Sequence, residues 1–330
     1  MTINIDSTTD VENTSLTEPF PVHSLAAQLQ EMTWRIKQHA KTDGFTETPI
    51  KGLRLIRASQ PSTATHTVYE PSLCLIAQGN KQAALGNEIY RYDPAHYLVA
   101  AVDVPVIGQV MDATPENPYL CFNLIFSPQD IQELLLAGSK AGAPGFPATK
   151  LTPKRGLFVS AAKPPLLDVA LRLLRLLDTP GDIPLLSPLL LREIIYRLLQ
   201  DDQGDTLAQV ALADSHAQQI SRVINILKHN YHRNLRIEDL AREACMSSSS
   251  LHTHFKTITN MTPLQYQKHL RLQEARRLLF AEQLDAATAS HRVGYESPSQ
   301  FSREYNRLFG LSPLRDIARL RSSGTFTSPA

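Results

Sequence analysis

Residues 247–264 read SSSSLHTHFKTITNMTPL, and residues 297–314 read SPSQFSREYNRLFGLSPL. The second stretch repeats the pattern of the first. Ser247, Ser249, Leu251, Phe255, Ile258 and Pro263-Leu264 return as Ser297, Ser299, Phe301, Tyr305, Leu308 and Pro313-Leu314. Apolar positions at i, i+4 and i+7 make one face of a short helix. Each copy follows a second small helical segment and a tight turn. That turn is Val293-Gly294-Tyr295-Glu296-Ser297 in the second copy and Ala244-Cys245-Met246-Ser247, one residue shorter, in the first. The chain therefore carries two helix-turn-helix units as an internal repeat.

The segment between the copies, PLQYQKHLRLQEARRLLFAE over 263–282, has Pro at a first helical position and no Gly. It is rich in strong helix formers. About 20 helical residues rise roughly 30 Å. Successive major grooves on one face of DNA lie roughly 34 Å apart. A stiff helix of this length suits two recognition helices held one turn of DNA apart.

Charge points the same way. Formal net charge is only +1, but residues 216–321 hold 16 Lys and Arg against 9 Asp and Glu, while the remainder is acidic. A basic C-terminal third is the electrostatic footprint of a nucleic-acid-binding module. The hydrophobic fraction of 42% and charged fraction of 20% suit a water-soluble globular chain with a sizeable core. The three cysteines, Cys74, Cys121 and Cys245, lie far apart and form no zinc-type spacing. The polar, acidic N-terminus lacks the basic start and apolar run of a signal peptide, and no stretch is apolar enough to span a membrane. The expected compartment is the cytoplasm.

Along the chain, 1–20 reads as a disordered tail and 22–40 as a helix with Leu25, Leu29, Met32 and Ile36 on one stripe. From 53 to 126, short apolar runs alternate with turn residues: LRLIRA, SLCLIA, KQAAL, EIYRY, HYLVAA, PVIGQV and YLCFNLIF. Leu85-Gly86-Asn87-Glu88 reads as a hairpin turn and Tyr92-Asp93-Pro94 as a further break. Six or seven strands imply a small β-sandwich or barrel whose interior is filled by side chains or holds one small ligand. A helix over 127–138, capped by Ser127, precedes a Gly/Pro/Ala-rich loop. Two Leu-rich helical segments follow. One carries the stripe Leu166, Ala170, Leu173, Leu174 and Leu177; the other carries Leu189, Leu190, Glu193, Ile194, Arg197 and Leu198. They either pack on the β-domain or form a dimerisation hairpin. The run 201–205, DDQGD, reads as a linker.

The run LAREACMSSSSLHTHFKTITNMTPLQYQKHLRLQEARRLL followed by RVGYESPSQFSREYNRLFGLSPL resembles the DNA-binding domain of AraC/XylS-type bacterial transcription regulators. VYEPSLCLIAQGNKQA and YDPAHYLVAAVDVPV resemble the cupin-like β-barrel of AraC-type N-terminal domains. The resemblance implies an α+β chain. A cupin-like effector-binding domain over 21–160 and a helical hairpin, a candidate for dimerisation, over 161–205 would precede a double helix-turn-helix domain over 206–322, with a disordered tail from 323. It implies double-stranded DNA and a small-molecule effector as partners, a homodimer, and RNA polymerase as a further partner if the output is activation. One departure is Cys245, where the family usually has Gly; a positive φ there would strain the turn.

The resemblance places recognition helices at 248–257 and 298–307, and the periodicity independently gives their outward faces. With Leu251, Phe255 and Ile258 inward, Ser249, His252, Thr253 and Lys256 face out. With Phe301, Tyr305 and Leu308 inward, Ser299, Gln300, Ser302, Arg303 and Arg307 face out. Arg303 and Gln300 are the strongest candidate base readers, because Arg pairs bidentately with guanine and Gln with adenine. Lys256 and Arg307 suit phosphate. Ser247 and Ser297 are expected N-caps, the latter with Pro298 following.

No GxSxG, P-loop or HExxH motif supports catalysis, and no cofactor is implied. His252 and His254, two apart on a helix, point away from each other and cannot clamp one metal. His66 and His96 lack an obvious third ligand. Cys74 and Cys121 read as buried small hydrophobes. The alternatives to a regulator are a cupin-like enzyme with an appended DNA-binding domain, or an electrophile or redox sensor acting through Cys74 or Cys121.

Overall fold

The computed structural model describes residues 24–140, 154–212 and 215–323. The expected tail at 1–20, most of the Gly/Pro-rich segment and all of the C-terminal tail beyond 323 lie outside them. Helix α1 (Leu25–His39) is capped by Ser24 and buries Gln28, Met32 and Ile36, leaving Trp34 exposed.

Nine strands follow: β1 (Gly44–Glu47), β2 (Leu53–Ala58), β3 (Thr65–Tyr69), β4 (Ser72–Gln78), β5 (Asn80–Leu85), β6 (Glu88–Tyr92), β7 (His96–Ala100), β8 (Val104–Asp112) and β9 (Tyr119–Ile125). Helix α2 (Pro128–Lys140) then leads towards β10 (Leu157–Ala161). Ser127 Oγ accepts the Asp130 N–H while Asp130 reaches back to the Ser127 N–H, closing the first turn of α2 reciprocally. The strands form two antiparallel sheets, β1-β2-β9-β4-β7-β10 and β3-β8-β5-β6. The architecture is a two-sheet, jelly-roll-like sandwich and not one closed barrel. Strands β1, β3 and β10 escape the sequence pattern because GFTE and THTVY are too polar and LFVSA stands alone. Gly86-Asn87 forms the expected two-residue hairpin loop, with Leu85 paired to Glu88.

Tyr119, Cys121 and Asn123 alternate on the face of β9 that meets the second sheet. Leu120, Phe122 and Leu124 occupy its other face, and both sets are buried. α1 packs on β4 and β9, and α3 (Pro164–Arg175) packs on α1. α3 buries all five residues of its expected stripe, Leu177 lying in a 3-10 turn at Leu176–Asp178. α4 (Ile183–Leu199) packs on α3 through Ile194, Ile195, Leu198 and Leu199. The second expected stripe splits, because Leu189 is 63% exposed while Ile194 and Leu198 are buried.

The run 201–205 is not an extended linker. Asp201 is half-buried, but its carboxylate is turned inward and receives hydrogen bonds from Tyr97, Ser160 Oγ (3.0 Å) and Lys163 Nζ (2.5 Å). Gly204 begins the short helix α5 (Gly204–Gln209); a Cβ on it would lie 2.0 Å from the Leu199 carbonyl oxygen. The chain is pinned to the sandwich before it enters α6 (His216–Asn230), α7 (Ile237–Glu243), α8 (Ser248–Thr259), α9 (Pro263–Ala281), α10 (Ala286–Arg292), α11 (Pro298–Phe309) and α12 (Pro313–Ser323).

Candidate nucleic-acid interface

The two helix-turn-helix units are α7–α8 and α10–α11. Each second helix starts from a serine cap: Ser247 Oγ accepts the Ser250 N–H at 3.2 Å, and Ser297 Oγ accepts the Gln300 N–H at 3.4 Å. Each ends in a left-handed residue, Asn260 (φ 59°) or Gly310 (φ 74°). The turns differ chemically. Gly294 has φ 90°, and a Cβ there would meet the His232 carbonyl oxygen at 2.0 Å, so only Gly fits. Cys245 takes φ 53° with its side chain exposed. The strain anticipated there is real, but the open surroundings let a side chain adopt the turn.

Leu251, Phe255 and Ile258 are buried, as are Phe301 and Tyr305. At the end of α11 the inward face is wider than the repeat implied: half-buried Leu308 packs against the second core and Phe309 is buried in it. The opposite faces carry the candidate contacts. Ser249, Thr253 and Lys256 on α8 and Ser299, Gln300, Ser302, Arg303 and Arg307 on α11 are exposed, and His252 is half-buried. Thr253 Oγ1 donates to the Ser249 carbonyl at 3.0 Å, and Gln300 Nε2 lies 3.4 Å from Glu304 Oε1. His254 turns away from His252 and stacks on His216, ring centroids 3.9 Å apart.

α9 joins the units. Thr262 and Gln265 form a reciprocal capping box before Pro263. Its 19 residues rise about 28 Å. Arg276 of α9 and Asp316 of α12 form a buried two-point ion pair at 2.7 and 2.9 Å, and Tyr305 of α11 donates to the same carboxylate at 2.9 Å. Three helices of the second unit thus meet on one buried carboxylate. The sequence signal for this was faint: a basic residue set among Leu272, Ala275 and Leu279.

The first unit is held from the sandwich side. Arg155 grips Glu88 through Nε and Nη2 and donates from Nη1 to the Lys256 and Thr257 carbonyls at the end of α8 (2.8 and 2.6 Å). Asn260 donates to the Leu85 carbonyl at 2.7 Å. Lys228 of α6 pairs with Asp103 (2.6 Å) and Glu70 (3.1 Å). These contacts offset the lost solvation of the groups that make them and fix one end of α8 against the hairpin β5–β6.

Known proteins carry the same two parts. Residues 49–206 match the model of the AraC-type transcriptional regulator N-terminus. Residues 240–318 match a helix-turn-helix domain. The chain belongs to the AraC/XylS-type transcription regulators. The regulator AlkR of Acinetobacter baylyi is 40% identical over 77 residues, 23% of this chain and 25% of AlkR. The raffinose operon regulator RafR of Pediococcus pentosaceus is 30% identical over 135 residues, 39% of this chain and 47% of RafR. The chain thus spans less than half the length of these curated relatives. ToxT of Vibrio cholerae, in a structure with an unsaturated fatty acid bound, shares the fold with a TM-score of 0.51 at 12% identity, over 84% of this chain and 95% of ToxT.

Inside the AraC-type N-terminal domain lies a polar cluster that sequence reading missed. Lys81 shares the inner face of β5 with Ala83 and Leu85, and its ammonium stands 5.2 Å from the Tyr69 ring centroid and 5.9 Å from that of Tyr119. The hydroxyls of Tyr69, Tyr92 and Tyr119 are buried without a hydrogen-bond partner. Gly108 leaves room here, since a Cβ on it would sit 3.0 Å from Tyr69 Oη and 3.9 Å from Lys81 Nζ. Burial holds the Tyr92 and Tyr119 phenols well above their ordinary pKa, so both stay neutral donors. The only signal in the sequence was one lysine at an inward position of KQAAL. Among the described residues no three His, Cys, Asp or Glu side chains gather as metal ligands, and no helix is long and apolar enough to cross a membrane.

Proposed function

We propose that this regulator reads two successive major grooves of double-stranded DNA with α8 and α11, under control of a small molecule bound in the sandwich. The observation that carries the reading is the pairing of two exposed polar helix faces with one capped, Gly-free helix of matching length between them. Arg303 and Gln300 are assigned to base edges, and Lys256 and Arg307 to phosphates, with Ser249, His252, Thr253, Ser299 and Ser302 supplying shorter contacts. The effector-binding part spans 21–160 and the DNA-binding part 206–322, both working in the cytoplasm at the nucleoid. The Lys81 ammonium and three unpartnered tyrosine hydroxyls favour an effector with an anionic or strongly accepting group. ToxT, a protein of the same fold, has been solved with an unsaturated fatty acid bound, which agrees with that chemistry.

Selection of binding sites from random DNA by the purified protein tests the reading. The expected outcome is two short preferred blocks about 10 base pairs apart. A single block would overturn the two-groove arrangement. We also assign the 161–205 segment to dimerisation, because Leu185 (78% exposed) and Leu189 (63%) leave an apolar strip on α4. Substituting both by Glu is expected to convert a dimer into a monomer in sedimentation. A wild-type protein that sediments as a monomer would remove this role.

A further inference from the structure

Cys74 and Cys121 lie on neighbouring central strands of the larger sheet. Cys74 pairs with Asn123 and Cys121 pairs with Ile76, so the two cysteines are diagonal neighbours. Both point to the inner face that Tyr119 and Asn123 share. Both are buried. Cys74 Sγ accepts a hydrogen bond from Asn123 Nδ2 at 3.1 Å. The same interior holds the Lys81 ammonium, which meets no carboxylate within ion-pair distance among the described residues. A buried ammonium without an anion ordinarily loses its proton. Burial opposes the Lys81 charge, and Tyr69, Cys74 and Cys121 together hold it protonated, while burial keeps the Tyr92 and Tyr119 phenols neutral.

We propose that Cys74 and Cys121 form a peroxide-responsive dithiol inside the sandwich, with Cys74 the attacking thiolate and Cys121 the resolving thiol. The donors around Cys74 support its role. The Cys121 thiol lowers its pKa most; burial opposes this, and Lys81, Asn123 and Ser72 lower it further. Cys121 is pushed the other way, first by burial and then by Cys74 itself. The pair shares one favoured thiolate, and the Asn123 amide that donates to Cys74 Sγ at 3.1 Å places it on Cys74.

The chemistry balances with a peroxide as oxidant. The Cys74 thiolate attacks one peroxide oxygen, the O–O bond breaks, and the departing hydroxide takes a proton from Lys81 to leave as water. Cys74 is now a sulfenic acid. Cys121 sulfur then attacks the Cys74 sulfur. The S–O bond breaks, and hydroxide leaves with the Cys121 proton as a second water. Two thiols have been oxidised to a disulfide and one peroxide reduced to two waters. Diagonal neighbours on paired strands stand roughly 7 Å apart at Cβ, whereas a disulfide needs about 4 Å. Closing the bond must shift β4 against β9. The pairing is already irregular between Ile76 and Gln78, beside both cysteines. α1 packs across these two strands, so the shift reaches the outside of the sandwich.

The test uses the full, reduced protein with hydrogen peroxide at pH 7, followed by alkylation of the remaining thiols and peptide mass mapping. Exposed Cys245 serves as an internal reference. The expected result is a Cys74–Cys121 crosslink, lighter by two hydrogens, that forms about tenfold faster than Cys245 oxidises. In Cys121→Ser the reaction should stop at a Cys74 sulfenic acid that dimedone traps. Lys81→Met should slow Cys74 oxidation about tenfold and raise the midpoint of its rate–pH profile, and Lys81→Arg should restore both. Cys74 and Cys121 still reduced when Cys245 is fully oxidised would overturn the proposal. If the Lys81 variants do not fold, the wild-type profile decides: a Cys74 midpoint at or above the ordinary thiol value of about 8.5 overturns it, and a lower one supports it. The measurement involves neither DNA nor effector, so its failure leaves the regulator reading standing.

Discussion

Arg303 and Arg307 stand one turn apart on the exposed side of α11, and neither makes an ion pair with a described residue, yet their losses are expected to differ. Arg303 lies two residues after buried Phe301, in the first half of the helix, the half that enters a major groove most deeply. Arg303→Ala should reduce specific binding by about 1–3 kcal/mol and relax preference at one base pair, with non-specific binding nearly intact. Arg307→Ala should weaken all sequences about equally and reduce the salt slope by about one. Site selection by each variant checks the pair; unchanged preference at every position in Arg303→Ala would remove its base-reading role. Gln300 is the more constrained candidate, because its amide already lies near Glu304. Burial pushes the Glu304 carboxyl up, but Lys268, Tyr295 and Gln300 together hold it below its ordinary pKa, so Gln300 faces a charged acceptor near neutral pH.

At the scale of elements, the second helix-turn-helix unit depends on one carboxylate. Asp316 is fully buried and Arg276 nearly so, and their pairing joins α9 to α12 while Tyr305 ties in α11. Removing one partner leaves the other charge uncompensated. Asp316→Ala should therefore cost about 3–5 kcal/mol of stability, read by urea denaturation. A variant as stable as the wild type would show that the helices need only their apolar core. This network marks the limit of what the sequence discloses. The helix stripes were legible because helical period brings Leu251, Phe255 and Ile258, or Phe301 and Tyr305, onto one face through local geometry alone. The outward faces followed by subtraction. The end of α11 was read too narrowly: Leu308 packs against the second core as the repeat implied, but Phe309, one step further round, is the more deeply buried residue. Arg276 and Asp316 are 40 residues apart and meet only through the fold. Polar strands such as β3, whose residues are all half-buried, carry no alternation to read. Asp201 was misjudged for a related reason: a run of acids and Gly looks like a linker until Tyr97, Ser160 and Lys163 are seen to converge on it.

Across the whole molecule, the sandwich touches both DNA-binding units, and the two contacts differ in kind. The first unit shares one continuous core with the sandwich and is further tied by Arg155, Asn260 and Lys228. The second unit has its own core. His66 of β3 reaches it by meeting Phe309 edge-on, with ring centroids 5.1 Å apart, and Arg276 lies over the same Phe309 ring at 4.6 Å. Burial pushes His66 down to a pKa of about 4. His269 and Arg276 push in the same direction, and Asp316 opposes them. A folded value below the ordinary 6.5 means that His66 binds its proton less readily when folded. Its contribution to stability is fully present above about pH 6.5 and is lost as the pH falls towards 4. The wild-type protein should therefore lose thermal stability through that window, because proton uptake by His66 favours the state in which the second unit has come away from the sandwich. His66→Phe keeps a ring against Phe309 without a titrating group, so its stability should fall less steeply over the same range. Parallel stability–pH curves for the two proteins would show that the His66 contact does not couple the sandwich to the second recognition helix.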